Sequence, residues 1–103
     1  MHKDHVILDD GMFFVELNGN YAANDAPGFL NRRCSYGPTT PGGYECVGGF
    51  DKALDGTWRA DVNAPYDPET DGDCRRVIAG VSRMNAIAAL WRERHNAYPY
   101  HRV

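Results

Sequence analysis

Three cysteines, four histidines and a tight run of carboxylates are the residues of this chain equipped to react or to ligate. Cys34 follows Arg32-Arg33, and two guanidinium groups beside a thiol favour its thiolate, so Cys34 with a histidine base is the candidate nucleophile. His2, His5, Cys34 and Cys46 offer zinc-ligating atoms, but at spacings that follow no zinc template. Asp67, Glu69, Asp71, Gly72 and Asp73 follow the first half of a calcium loop, with oxygens at alternate positions and glycine sixth. The twelfth position is Ile78, where a bidentate glutamate belongs, and the same acids suit the N-terminus of a helix that follows them. Gly37-Pro38-Thr39-Thr40-Pro41-Gly42-Gly43 is rich in glycine but lacks the lysine and the following helix of a phosphate-binding loop. No catalytic set, cofactor or metal is therefore expected, and the preferred class is binding, with an enzyme built on Cys34 as one alternative.

The tyrosines point the same way. Tyr21, Tyr36, Tyr44, Tyr66, Tyr98 and Tyr100 fall in expected loops or element ends, where one modest core cannot absorb them all, and tyrosine with arginine is what protein-binding surfaces enrich. The expected partner-binding residues are Arg32, Arg33, Tyr36, Tyr44, Tyr98, Tyr100 and Arg102.

Composition bounds what can hold such a surface. A chain of 103 residues with 43% hydrophobic and 24% charged residues reads as one globular domain over 1–103. Its longest apolar runs, Met12 to Val15 and Ile87 to Trp91, fall far short of the roughly 18 residues of a membrane-spanning helix. His2-Lys3-Asp4-His5 carries an acid and leads into only three apolar residues, unlike a secretory signal, so a cytoplasmic chain with free thiols is expected. A Cys34–Cys46 disulfide is the alternative for an oxidising compartment and would leave Cys74 unpaired. The net charge of −3 hides an asymmetry: residues 1–73 hold 13 acids against 5 bases, while residues 74–103 hold six arginines against Glu93. The basic part either docks on the acidic part, so that the fields cancel, or it meets a partner. Nucleic acid bound through Arg75, Arg76, Arg83, Arg92 and Arg94 is the second alternative, against which a net acidic chain argues.

The elements follow from pattern. His5 to Leu17 reads as a β-hairpin turning at Asp9-Asp10-Gly11, ended by Asn18-Gly19-Asn20. Asn24 or Asp25 with Pro27 suits the start of a short helix through Phe29, Leu30 and Arg33. Tyr44–Gly48 and Gly56–Val62 form a second strand pair, the latter with Trp58, Ala60 and Val62 alternating against polar residues, and Ala64-Pro65-Tyr66-Asp67-Pro68 closes the sheet. From Cys74 on, Val77, Val81, Met84, Ala88, Trp91 and His95 recur every three or four residues, which predicts one long helix. Gly80 is its weak point. A break there would leave Arg75 to Ala79 as a strand and make Ser82 the cap of a helix from Arg83.

Asp67-Pro68-Glu69-Thr70-Asp71-Gly72-Asp73 with Arg76-Val77-Ile78-Ala79, and later Ser82-Arg83-Met84-Asn85-Ala86-Ile87, resembles the helix-bearing segments of small tailed-phage proteins of the ABA-sandwich type. Gly80-Val81-Ser82 followed by Ala86 resembles the strand, turn and helix of HicB-like antitoxins. Together these likenesses cover about a third of the chain and bring no catalytic residues. They imply a small α+β fold from a phage, plasmid or gene cassette.

The resulting expectation is an α+β domain in which an antiparallel sheet of three to five strands packs one long C-terminal helix. Val77, Val81, Met84, Ile87, Ala88 and Trp91 would face Phe13, Val15 and Trp58. A stripe that wide exceeds what so small a sheet covers, so the chain is expected to act on a macromolecular partner, a protein or a second copy in a homodimer.

Overall fold

The computed structural model describes residues 5–22, 24–34 and 43–98. Asp9 and Asp10 make the first turn: the Asp10 carboxylate accepts from the Met12 and Phe13 amides and that of Asp9 from the Gly11 amide, while Gly11 takes a positive φ. This joins β1 (Val6–Asp9) to β2 (Phe13–Leu17), as the sequence predicts. β3 (Gly28–Arg33), β4 (Tyr44–Lys52), β5 (Trp58–Asp67) and β6 (Gly72–Val81) continue a meander in which each strand pairs antiparallel with its neighbour in sequence. Helix α1 (Arg83–Arg92) and a 3-10 turn at Arg94–Asn96 end the described chain apart from Ala97 and Tyr98. The class is α+β as expected, with six strands where three to five were predicted and a ten-residue helix where a long one was.

Four sequence expectations are overturned. The long helix breaks as the alternative had it: Gly80 sits at φ 71, Arg75 to Ala79 lie within β6, and Ser82 caps α1 by accepting from the Asn85 amide at 3.2 Å. The helix expected over Phe29 to Arg33 is β3, because Asn24 and Asp25 close a turn through the Asp25 amide and the Ala22 carbonyl, after which the chain is extended. Pro65 does not stop the sheet. The pairing of β5 with β6 is irregular between Asn63 and Asp67, a place where proline costs no ladder bond. The acids of the supposed calcium loop or helix start form the β5–β6 turn: the Asp67 carboxylate accepts from the Glu69 amide, and Asp71, at φ 53, accepts from the Tyr66 hydroxyl at 2.7 Å.

One sheet face is covered by α1; the other, here called the open face, carries no helix among the described residues, although Phe14 and Asn31 are buried on it. Phe13, Val15, Leu30, Val47, Phe50, Trp58, Ala60 and Val62 form the core with Ala86, Ile87 and Leu90 of α1. Gly48 permits this approach. A Cβ there would lie 2.8 Å from the Asp61 carbonyl oxygen and 3.3 Å from a Leu90 methyl. Of the stripe expected to face the sheet, Ile87 is buried, Trp91 is half-buried, Val77 and Val81 belong to β6, and Met84 and Ala88 stand in solvent. Among the described residues no helix is long and apolar enough to cross a membrane.

Candidate binding groove

Helix periodicity decides which side of α1 is left over. Ala86, Ile87, Ala89 and Leu90 take the inward positions, so Met84, Ala88 and Arg92, each four residues apart, share the opposite side, with Trp91 at the margin. The curled sheet brings β1 alongside this margin. A bulge between Val6 and Leu8 lets Ile7 and Leu8 both line the space, with Leu17 of β2 beneath them. The result is an apolar groove of about 600 Å³ between β1 and α1. Met84 is 74% exposed and Ile7 40%.

The ends of the groove are cationic. Arg83 donates to the Ala26 carbonyl at 3.2 Å and lies over the rings of Trp58 and Phe50, at 5.5 and 5.8 Å. Neither Arg83 nor Arg92 has an ion-pair partner among the described residues, no carboxylate lines the groove, and no acid stands in the first turn of α1. The C-terminal end is fixed by Arg94, which donates to Asp10 at 2.7 Å, stacks on Trp91 at 4.2 Å and donates to the Trp91 carbonyl. Hydrogen bonds from the Phe13 amide, opposed by desolvation and reinforced by Arg94 and the Met12 amide, lower the Asp10 carboxyl to about 2.

Elsewhere Arg76 of the basic part pairs with Asp61 of the acidic part, as Arg94 does with Asp10, whereas Arg75 with Glu93, Arg59 with Asp51 and Lys52 with Asp25 pair within a single part. The open sheet face carries the pairs of Arg59 and Arg76 beside a shallow cavity of about 290 Å³ over Gly48 and Gly49. Cys46 and Cys74 flank it, and desolvation pushes both thiols above their ordinary range, for Cys74 with the help of the Asp73 carboxylate, which makes them poorer nucleophiles.

The residues expected to form a partner surface are not gathered in one place. Arg33 forks onto Asp9 with two bonds of 2.8 Å and lies 4.4 Å over the Phe14 ring, against which Tyr44 packs edge-on at 5.2 Å, so these two do share a patch. Arg32 pairs with the buried Glu45, and Tyr98 donates its amide to the Asn63 carbonyl. Tyr36, Tyr100 and Arg102 lie outside the described residues, as do His2 and residues 35–42 of the glycine-rich loop. The three cysteines are free thiols. Cys34 and His5 sit at opposite ends of β2, since Phe13 pairs with Arg32 and Leu17 with Gly28, and the His95 ring packs edge-on against Phe13 at 5.1 Å. Among the described residues no group of three or more histidines, cysteines or carboxylates is placed to hold a metal.

The sequence pattern assigns Met84, Ala88 and Trp91 to the core and gives no sign of the part played by Ile7, Leu8 and Leu17. The signal that finds the groove is the excess width of the stripe once the helix shrinks to ten residues. Comparison with protein-family models, with curated proteins and with solved structures finds no match for this chain.

Proposed function

We propose that this chain is a non-catalytic binding protein of the cytoplasm that docks a macromolecular partner, a protein, in the groove between β1 and α1. The observation that carries the reading is the exposed apolar wall of Met84, Ala88 and Ile7 facing a groove large enough for several side chains. Nucleic acid is the weaker reading because Arg75, Arg76 and Arg94 already hold carboxylates, so few cations remain to displace counterions from phosphates. Catalysis by Cys34 is weaker still, with His5 a strand length away and the His95 ring packed on Phe13. An origin in a phage, plasmid or cassette belongs to the same proposal and is tested by the genes flanking the coding sequence.

The experiment is affinity capture from the native host with three baits: the wild type, Ala88→Arg in the groove and Tyr44→Ser on the open face. A partner retained by Tyr44→Ser and lost by Ala88→Arg, with both variants melting near the wild type, supports the reading. Loss with Tyr44→Ser alone moves the site to the open face and ends it.

A further inference from the structure

The proposal that the groove docks a protein can be taken one step further, to the chemistry of what it docks. We infer that the occupant is an acidic amphipathic helix of another protein, its apolar stripe against Met84, Ala88 and Ile7 and its carboxylates against Arg83 and Arg92. The inference rests on that docking reading and on charge.

Arg83 and Arg92 are the arginines lining the groove, they lie at opposite ends of α1, and neither has an ion pair among the described residues, whereas Arg32, Arg33, Arg59, Arg75, Arg76 and Arg94 each hold a carboxylate. Arg83 also stands in the first turn of α1, where the helix dipole is itself positive and no acid offsets it. The groove therefore presents an apolar floor between two cations that form no ion pair among the described residues, with Arg83 held on the Ala26 carbonyl and Arg92 beside Glu93, and complementarity favours an apolar segment with negative ends.

The same charges disfavour a second copy. The midpoint between Arg83 and Arg92 falls between Ile87 and Ala88, so a two-fold axis through the middle of α1 would set Arg83 of one copy against Arg92 of the other. An added strand is disfavoured by β1 itself, which has four residues and a bulge between Val6 and Leu8, features that blunt an edge against pairing. A helix laid along α1 avoids both difficulties. Nine residues at about 1.5 Å each separate the two cations by about 14 Å along the axis, which sets the matching carboxylates about nine residues apart on the partner helix.

The test uses the full chain and three synthetic helical peptides of about 18 residues, long enough to hold a helix. They share a leucine and alanine stripe and differ only at two flanking positions nine apart, which are glutamate, glutamine or lysine. Binding is read by fluorescence anisotropy at low salt and at about 0.5 M NaCl. The expected order is glutamate tightest and lysine weakest, with glutamate about tenfold tighter than glutamine at low salt and within about twofold at high salt. Arg92→Glu should reverse the order of the glutamate and lysine peptides, and Arg92→Gln should flatten it.

Equal affinity of all three peptides, lost in Ala88→Arg, would keep the docking site and overturn the acidic partner. Failure of all three to bind would overturn the acidic-helix inference, while the docking reading stands or falls with the capture experiment. A dimer by sedimentation that disappears in Ala88→Arg would assign the face to a second copy and likewise overturn the inference.

Discussion

Both sides of α1 carry apolar residues, and these meet opposite fates. The inward side spends Ala86, Ile87, Ala89 and Leu90 on the core, and every one of them is buried; the outward side carries Met84, Ala88 and Arg92, all of them exposed. Apolar residues at helical spacing thus identify a helix but not which of its sides is core. That depends on how much sheet lies beneath, and here β4 to β6 and the edge of β2 supply cover for one side only.

The sharpest way to widen this contrast is Leu90→Ala. Leu90 is fully buried against Gly48, so the loss should be about 2–5 kcal/mol, seen as a lower denaturation midpoint with an unchanged slope. Gly48→Ala attacks the same contact from the sheet, where the added methyl meets the Asp61 carbonyl, a backbone atom that cannot swing away. A cost of about 1–3 kcal/mol is expected by the same measurement.

Asp10→Asn tests the tie between the β1–β2 turn and the end of the groove, and should cost about 1 kcal/mol at neutral pH. Because folding lowers the Asp10 pKa, its contribution is complete above the ordinary carboxylate range near 4 and fades as pH falls toward 2. Wild type and variant should therefore differ at pH 6 and converge below about pH 2 in urea titrations. An offset that persists in acid would mean the tie is not ionic. On the outward side Met84→Ser should change stability by less than about 0.5 kcal/mol, and a larger loss in calorimetry would show that Met84 is core after all.

The elements easiest to read in the sequence were those with undisturbed period. The Asp9-Asp10-Gly11 hairpin and the alternation of Trp58, Ala60 and Val62 are local signals, and both strands stand where they point. β6 was hidden because its pairing with β5 slips three times, twice where Trp58, Ala60 and Asp61 oppose Val81, Ile78 and Arg76 and again between Asn63 and Asp67. Such bulges erase the two-residue alternation and leave Val77 and Val81 four apart, which imitates a helix and extends the stripe of α1 backward. β3 was hidden because Leu30 and Asn31, on opposite faces of the sheet beside Val15 and Phe14, are both buried, so burial does not alternate along it. The groove was illegible as a site because Ile7 and Leu8 reach α1 only through the curl of the whole sheet, more than seventy residues away in sequence.

Hydroxyl-radical footprinting of Met84, in the free chain and with the captured partner bound, tests the docking face most directly. The side chain should oxidise rapidly when free and become protected in the complex, while Tyr44 on the open face keeps its reactivity. A Met84 already slow to oxidise in the free chain, or one that stays reactive in the complex while Tyr44 is shielded, would contradict a partner seated between β1 and α1.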